Sequence, residues 1–248
     1  MTNAVGTRAV FGVIVPSTNT VVEHDYWRAG LDGVSYRAGS MYIPNPVMGD
    51  DEDFTALLGQ IRGSIDTAVR DVLTAEPDRM VMGMSAETFW GGVAGNESFE
   101  RRLRERTGLP VTTGASACRA ALRELGCRRI AVFSPYQPIA DREVARFFTE
   151  AGFEVTAITG LRCPTAQAIA RVDAARIAEV VTEIDSADAD AVVQVGTNLS
   201  FVAQADRLEA ELGKPVIAIN AATLWHALRE HGFHDRIAEG AGMLLREH

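Results

Sequence analysis

Short apolar runs recur along the 248-residue chain, separated by longer stretches in which apolar residues return every three or four positions. The runs are AVFGVIV (9–15), RMVMGM (79–84), PVTT (110–113), RIAVFS (129–134), EVTAIT (154–159), AVVQVG (191–196) and PVIAIN (215–220). They are rich in Val and Ile and lack polar alternation, which predicts strands buried on both faces of a parallel sheet. Between them, CRAALRELG places Ala121, Leu122 and Leu125 on one helical face before Gly126, and ADREVARFFTEAG closes likewise at Gly152. Strands alternate with helices, so the expected class is α/β.

The pattern also repeats. GLPVTTGASACRAALRELG (108–126) is echoed by GKPVIAINAATLWHALREHG (213–232), FGVIVPSTNT by IAVFSPYQPI, and VMGMSAETF by VVQVGTNLSF. These matches keep their order along the chain, which predicts two pseudo-symmetric lobes, each a parallel sheet flanked by helices. The expected division is 1–112 plus 219–248 for the N-terminal lobe and 113–218 for the C-terminal lobe. A cleft between them would be walled by the loops at the strands' C-terminal ends.

Composition narrows the function. A net charge of −9 argues against a nucleic-acid partner, which requires a basic face. No stretch approaches the ~20 apolar residues of a membrane span, and the N-terminal apolar patch ends at Pro16 without a cleavage-site pattern. Cys118, Cys127 and Cys163 show neither metal-ligand spacing nor an even count, as expected for reduced thiols in the cytoplasm.

The candidate chemistry lies at strand-to-helix turns. PSTNT (16–20) sets Ser17, Thr18, Asn19 and Thr20 at a helix start, where unpaired N–H groups favour an anion. SPY (134–136) offers the Tyr136 phenol, and GTNLS (196–200) offers Gly196 for close backbone approach with Thr197 and Asn198 as donors. MSAETFWGG adds Met84, Ser85 and Thr88, and Glu87 beside Phe89 and Trp90 is the first candidate proton carrier. Together the turns offer many neutral donors and few cations, which suits a small carboxylate. No Gly-rich nucleotide-binding turn is present. His24 reads as a solvated helix residue, GDDEDF (49–54) as an acidic first helical turn, and MYIPNPVM (41–48) as a loop able to cover the cleft.

VIVPSTNTVVE, MSAETFWGG, GLPVTTGASACRAALRELGCRRIAVFSPY and the segment GTNLS through KPVIAINAATLWHALR together resemble the Asp/Glu racemase superfamily, in its maleate cis-trans isomerase and arylmalonate decarboxylase branch. The resemblance spans nearly the whole chain. It implies two facing α/β lobes, no metal, no organic cofactor, a homo-oligomer, and chemistry beside a carboxylate in which cleft cysteines carry protons or attack carbon. By the same resemblance, Ser85 and Tyr136 match donors to a developing enediolate, completed by backbone N–H groups near Thr197.

The motif departs from the family at both cysteine positions, which fall on Met84 and Gly196. The expected function is therefore a cofactor-independent isomerase or carbon–carbon lyase acting on a small carboxylate or dicarboxylate without catalytic cysteines. Its catalytic residues would be Glu87, Ser85 and Tyr136. Ser17, Asn19, Met84, Thr88, Gly196, Thr197 and Asn198 would bind substrate. The alternative is a catalytically inactive carboxylate-binding or regulatory protein on the same scaffold.

Overall fold

A computed structural model describes residues 3–237, 240 and 242–248. The first half runs β1 (Ala9–Pro16), α1 (Val22–Arg28), β2 (Val34–Met41), α2 (Asp51–Leu73), β3 (Arg79–Met82), α3 (Ala86–Phe89), α4 (Gly92–Thr107) and β4 (Val111–Thr112). The second runs α5 (Gly114–Glu124), β5 (Arg129–Ser134), α6 (Pro138–Glu150), β6 (Glu154–Gly160), α7 (Ala166–Ile169), α8 (Ala174–Ile184), β7 (Ala191–Gln194), α9 (Val202–Leu212) and β8 (Val216–Ala218). Helices α10 (Ile219–Glu230) and α11 (Met243–Glu247) complete the chain.

Two four-stranded sheets result, ordered β2-β1-β3-β4 and β6-β5-β7-β8, with every pairing parallel. The second order is the first displaced by four strands, as the repeated pattern predicts. The central strands β1, β3, β5 and β7 are almost wholly buried, which explains their unbroken apolar runs.

Strand β2 is the element that the apolar-run reading misses. It lies at a sheet edge, its burial alternates, and Arg37, Gly39 and Ser40 interrupt its apolar residues. Strand β6, an edge of the second sheet, is exposed or half-exposed along its length, yet its apolar side chains still mark it.

The longest helix, α2, buries Phe54, Leu57, Leu58, Ile61, Ile65, Ala68, Val69 and Val72, the spacing of one continuous helical face. Its acidic start has a local cause. The Asp50 carboxylate accepts from the Glu52 and Asp53 backbone N–H groups, an N-cap that satisfies two otherwise unpaired donors. The C-terminal part of this face packs on β1 and β2, while its N-terminal part faces the other lobe.

After the last strand of each sheet, the chain enters a helix, α5 or α10, and these two helices pack along each other. Helix α10 also touches α1, β3 and β4, elements of the first half of the chain. Among the described residues no helix is long and apolar enough to cross a membrane.

Candidate active site

In each sheet the chain reverses its direction of winding between the two central strands, the place where open parallel sheets leave a crevice. The crevices face each other and form one narrow cleft, partly open to solvent. Four turns supply its polar side: Thr18 and Asn19 after β1, Met84, Ser85 and Ala86 after β3, Tyr136 after β5, and Gly196, Thr197 and Asn198 after β7. The rest of the lining is apolar, built from Phe54, Leu57, Leu58 and Ile61 of α2, Ile43 and Met48, and Ala166 and Ile169 of α7, with the Phe54 ring edge-on to that of Tyr136 at 5.3 Å.

Ser85 and Tyr136 meet across the cleft, Oγ to phenolic oxygen, at 2.6 Å. Both residues are buried. Burial pushes the Tyr136 phenol far above its ordinary range, although its hydrogen bond to Ser85 opposes the shift. Burial therefore favours the neutral phenol. One hydrogen bond joins two hydroxyls, so one O–H of the pair is not spent on the other.

The remaining polar groups are largely committed to joining the lobes. Asn19 Oδ1 accepts from the Val21 and Val22 backbone N–H groups and so opens α1, while its Nδ2 donates to Thr197 Oγ1 at 3.1 Å. Thr197 Oγ1 donates to the Gly83 carbonyl at 3.1 Å. Asn198 Oδ1 accepts from the Thr20 N–H, and its Nδ2 donates to the Thr18 and Ala166 carbonyls. These side chains line the cleft and also fix its width.

Three candidates are placed elsewhere. Glu87 does not line the cleft: residues two apart in a helix point about 200° apart, so with Ser85 turned inward Glu87 faces out. There Arg62 grips it in a forked ion pair, with Nε at 2.8 and 2.9 Å and Nη2 at 2.8 Å, in a groove beside Trp90. Thr88 is fully buried behind the turn, its Oγ1 donating to the Ser85 carbonyl and accepting from the Ala115 N–H. Ser17 Oγ accepts from the Ile43 N–H and holds the covering loop to the first strand end. His24 is exposed and lines a separate hollow with Asp25 and Arg28.

The covering loop does reach the other lobe. Met48 donates its N–H to the Pro164 carbonyl, Ala166 donates to the Pro46 carbonyl, and the buried Gln137 amide donates to the Met48 carbonyl. Cys118, Cys127 and Cys163 are buried and none lines the cleft. Burial pushes the Cys127 and Cys163 thiols up to about 11, and Cys118 further still.

Sequence reasoning misses the α2 wall, because an inward helical face reads the same whether it meets core or cavity. It also misses Asn220 and Asp25. The Asn220 amide donates to Asp25 Oδ2 at 2.8 Å and to the Thr197 carbonyl at 2.9 Å, tying the turn after β7 to α1. No local spacing signals a pair 195 residues apart.

The model of one protein family, arylmalonate decarboxylase, matches residues 58–245. The chain belongs to the arylmalonate decarboxylase family. It is 31% identical to the arylmalonate decarboxylase of Bordetella bronchiseptica over 169 residues, covering 67% of this chain and 70% of that protein. Over 240 residues it is also 31% identical to a maleate isomerase of Pseudomonas putida, covering 94% of this chain and 96% of that protein. The Nocardia farcinica maleate cis-trans isomerase, solved with a covalently bound succinylcysteine intermediate, shares the fold: TM-score 0.86 at 21% identity, over 97% of this chain and 99% of that one. The family thus holds both a decarboxylase and isomerases, one of which carries its intermediate on a cysteine. In this member no cysteine lines the cleft among the described residues.

Proposed function

We propose that the protein is a cofactor-independent carbon–carbon lyase that decarboxylates a small malonate-type dicarboxylate bearing an apolar substituent. The observation that carries this reading is the division of the cleft into a neutral hydrogen-bonding side, centred on Ser85 and Tyr136, and an apolar wall from α2. Met84 and Gly196 stand where the resemblance expects cysteines, so addition of a thiolate to a double bond has no nucleophile here. Decarboxylation needs none. One carboxylate rests against the donors, and the other, facing Phe54, Leu57, Leu58 and Ile61, loses its hydration.

The carbon–carbon bond then breaks, carbon dioxide leaves, and the electron pair delocalises over the retained carboxylate as an enediolate. The free O–H of the Ser85–Tyr136 pair donates to an enediolate oxygen, a hydrogen bond that strengthens as charge concentrates there. The phenolic proton of Tyr136 passes to the α-carbon, and water returns a proton to the phenolate. A phenol is a weak acid, but an enediolate carbon is a far stronger base. Glu87 takes no part, because Arg62 holds it outside the cleft.

The test is a panel of phenylmalonate, alkylmalonates and maleate, followed by proton NMR in deuterated water. Appearance of the α-deuterated monoacid supports the assignment, and an inert panel refutes it. One observation favours a second reading, a carboxylate-binding protein: Asn19, Thr197 and Asn198 are bonded to one another and to backbone, as in a built frame. A rise in melting temperature with malonates and no product would select it.

A further inference from the structure

We infer that Asp141 and Arg162 form a positioning pair that aims the Tyr136 phenol at Ser85, an inference that rests on the catalytic role proposed for Tyr136. Both backbone polar groups of Tyr136 end on this pair. The Tyr136 N–H donates to Ser134 Oγ at 3.0 Å, and Ser134 Oγ in turn donates to Asp141 Oδ1 at 2.5 Å. The Tyr136 carbonyl accepts from Arg162 Nη1 at 2.6 Å, and the same nitrogen reaches Asp141 Oδ2 at 2.5 Å. Asp141 is thus the common anchor of two arms that close on one residue.

The surroundings are built around this arrangement. Asp141 is 5% exposed, in the first turn of α6, and burial pushes its carboxyl above the ordinary range against the hydrogen bonds from Ser134 and Arg162. Arg162 has φ of 55°, a left-handed conformation that is strained for a non-glycine residue. Gly160 leaves the space the network occupies: a Cβ there would stand 2.5 Å from Asp141 Oδ2 and 2.6 Å from the Tyr136 carbonyl oxygen. A buried charge, a strained arginine and an obligatory glycine converge on a turn whose only side chain lining the cleft is Tyr136. The segment after β6 completes the hold, with the Leu161 and Cys163 N–H groups donating to the Ser134 and Pro135 carbonyls.

A double-mutant cycle tests the pairing. Asp141→Asn should lower phenylmalonate turnover roughly tenfold when Tyr136 is present, within the coupling expected inside one hydrogen-bond network, and leave it nearly unchanged in a Tyr136→Phe background. Equal losses in both backgrounds would mean a general structural role and overturn the inference. Arg162→Ala, at a half-exposed side chain, repeats the cycle should Asp141→Asn fold poorly. A second readout does not need turnover. In protein labelled with 3-fluorotyrosine, the fluorine resonance of Tyr136, assigned by its loss in Tyr136→Phe, should shift or broaden in both variants while those of Tyr26 and Tyr36 hold. An unmoved Tyr136 resonance overturns the positioning pair even if no substrate is found. A moved resonance with an inert substrate panel keeps the pair and rejects the lyase assignment.

Discussion

Ser85 and Tyr136 come from different lobes, and their oxygens stand 2.6 Å apart inside the cleft. Neither lobe alone holds this pair. Removing either hydroxyl should leave the scaffold folded and strip one donor from the enediolate. Ser85→Ala should lower malonate turnover by about 10²–10³ with little change in KM, the usual cost of one such donor, and Tyr136→Phe, which also removes the proton donor, by more. Steady-state kinetics on the deuterium-exchange assay would read this directly.

Glu87 gives the opposite expectation. Its carboxylate is buried, and its forked ion pair is with the exposed Arg62 in the outer groove. Glu87→Gln should cost about 1–3 kcal/mol, the range for hydrogen bonds to a charged group, and leave turnover at the wild-type level. A urea melt and the same kinetic assay suffice, and a collapse in turnover would return Glu87 to the mechanism.

The two positions that resemblance assigns to cysteines differ in what they tolerate. Met84 is a buried side chain lining the cleft, so Met84→Cys shortens it and should cost about 1–2 kcal/mol through the space left behind. Gly196 has φ of 107°, and a Cβ there would overlap the Pro135 ring. Gly196→Cys therefore combines backbone strain with overpacking and should cost more than about 3 kcal/mol. Denaturant midpoints of the two variants should separate in that order.

Asp25 sets a pH dependence of stability. Burial raises its carboxyl to about 6 from 3.8. The folded state then binds the proton more tightly than the unfolded state. This contribution is fully present below about pH 4 and is lost as pH rises through 6. Asp25→Asn, which keeps an acceptor for the Asn220 amide, should stabilise the protein at pH 8 by up to about 3 kcal/mol. That advantage should vanish below pH 4, and thermal melts of both proteins across pH 4–8 would show it.

Much of this architecture was legible before any coordinates. Central strands carry unbroken Val/Ile runs because both faces are buried, and the turns that follow them expose small polar residues. Asn19, Met84, Ser85, Tyr136, Gly196, Thr197 and Asn198 could therefore be assigned to one cleft from their strand-end positions. Strand β2 could not, because an edge strand carrying Arg37 and Gly39 has no apolar run. The orientation of Glu87 depends on where a four-residue helix begins and on Arg62, a partner 25 residues away. The donors of Asn19 and Asn198 read as free in the sequence because their partners lie in the other lobe. Asp141 gave no signal at all: a carboxylate in the first turn of a helix ordinarily faces water.

The placement of α10 has a topological consequence. Since α10 follows the second sheet and yet packs against β3 and β4 of the first, a cut near residue 113 would release an N-terminal fragment with one flank of its sheet bare. Gene halves split there should need co-expression to become soluble. The repeat visible along the chain thus describes two units of which the first takes its cover from the end of the second.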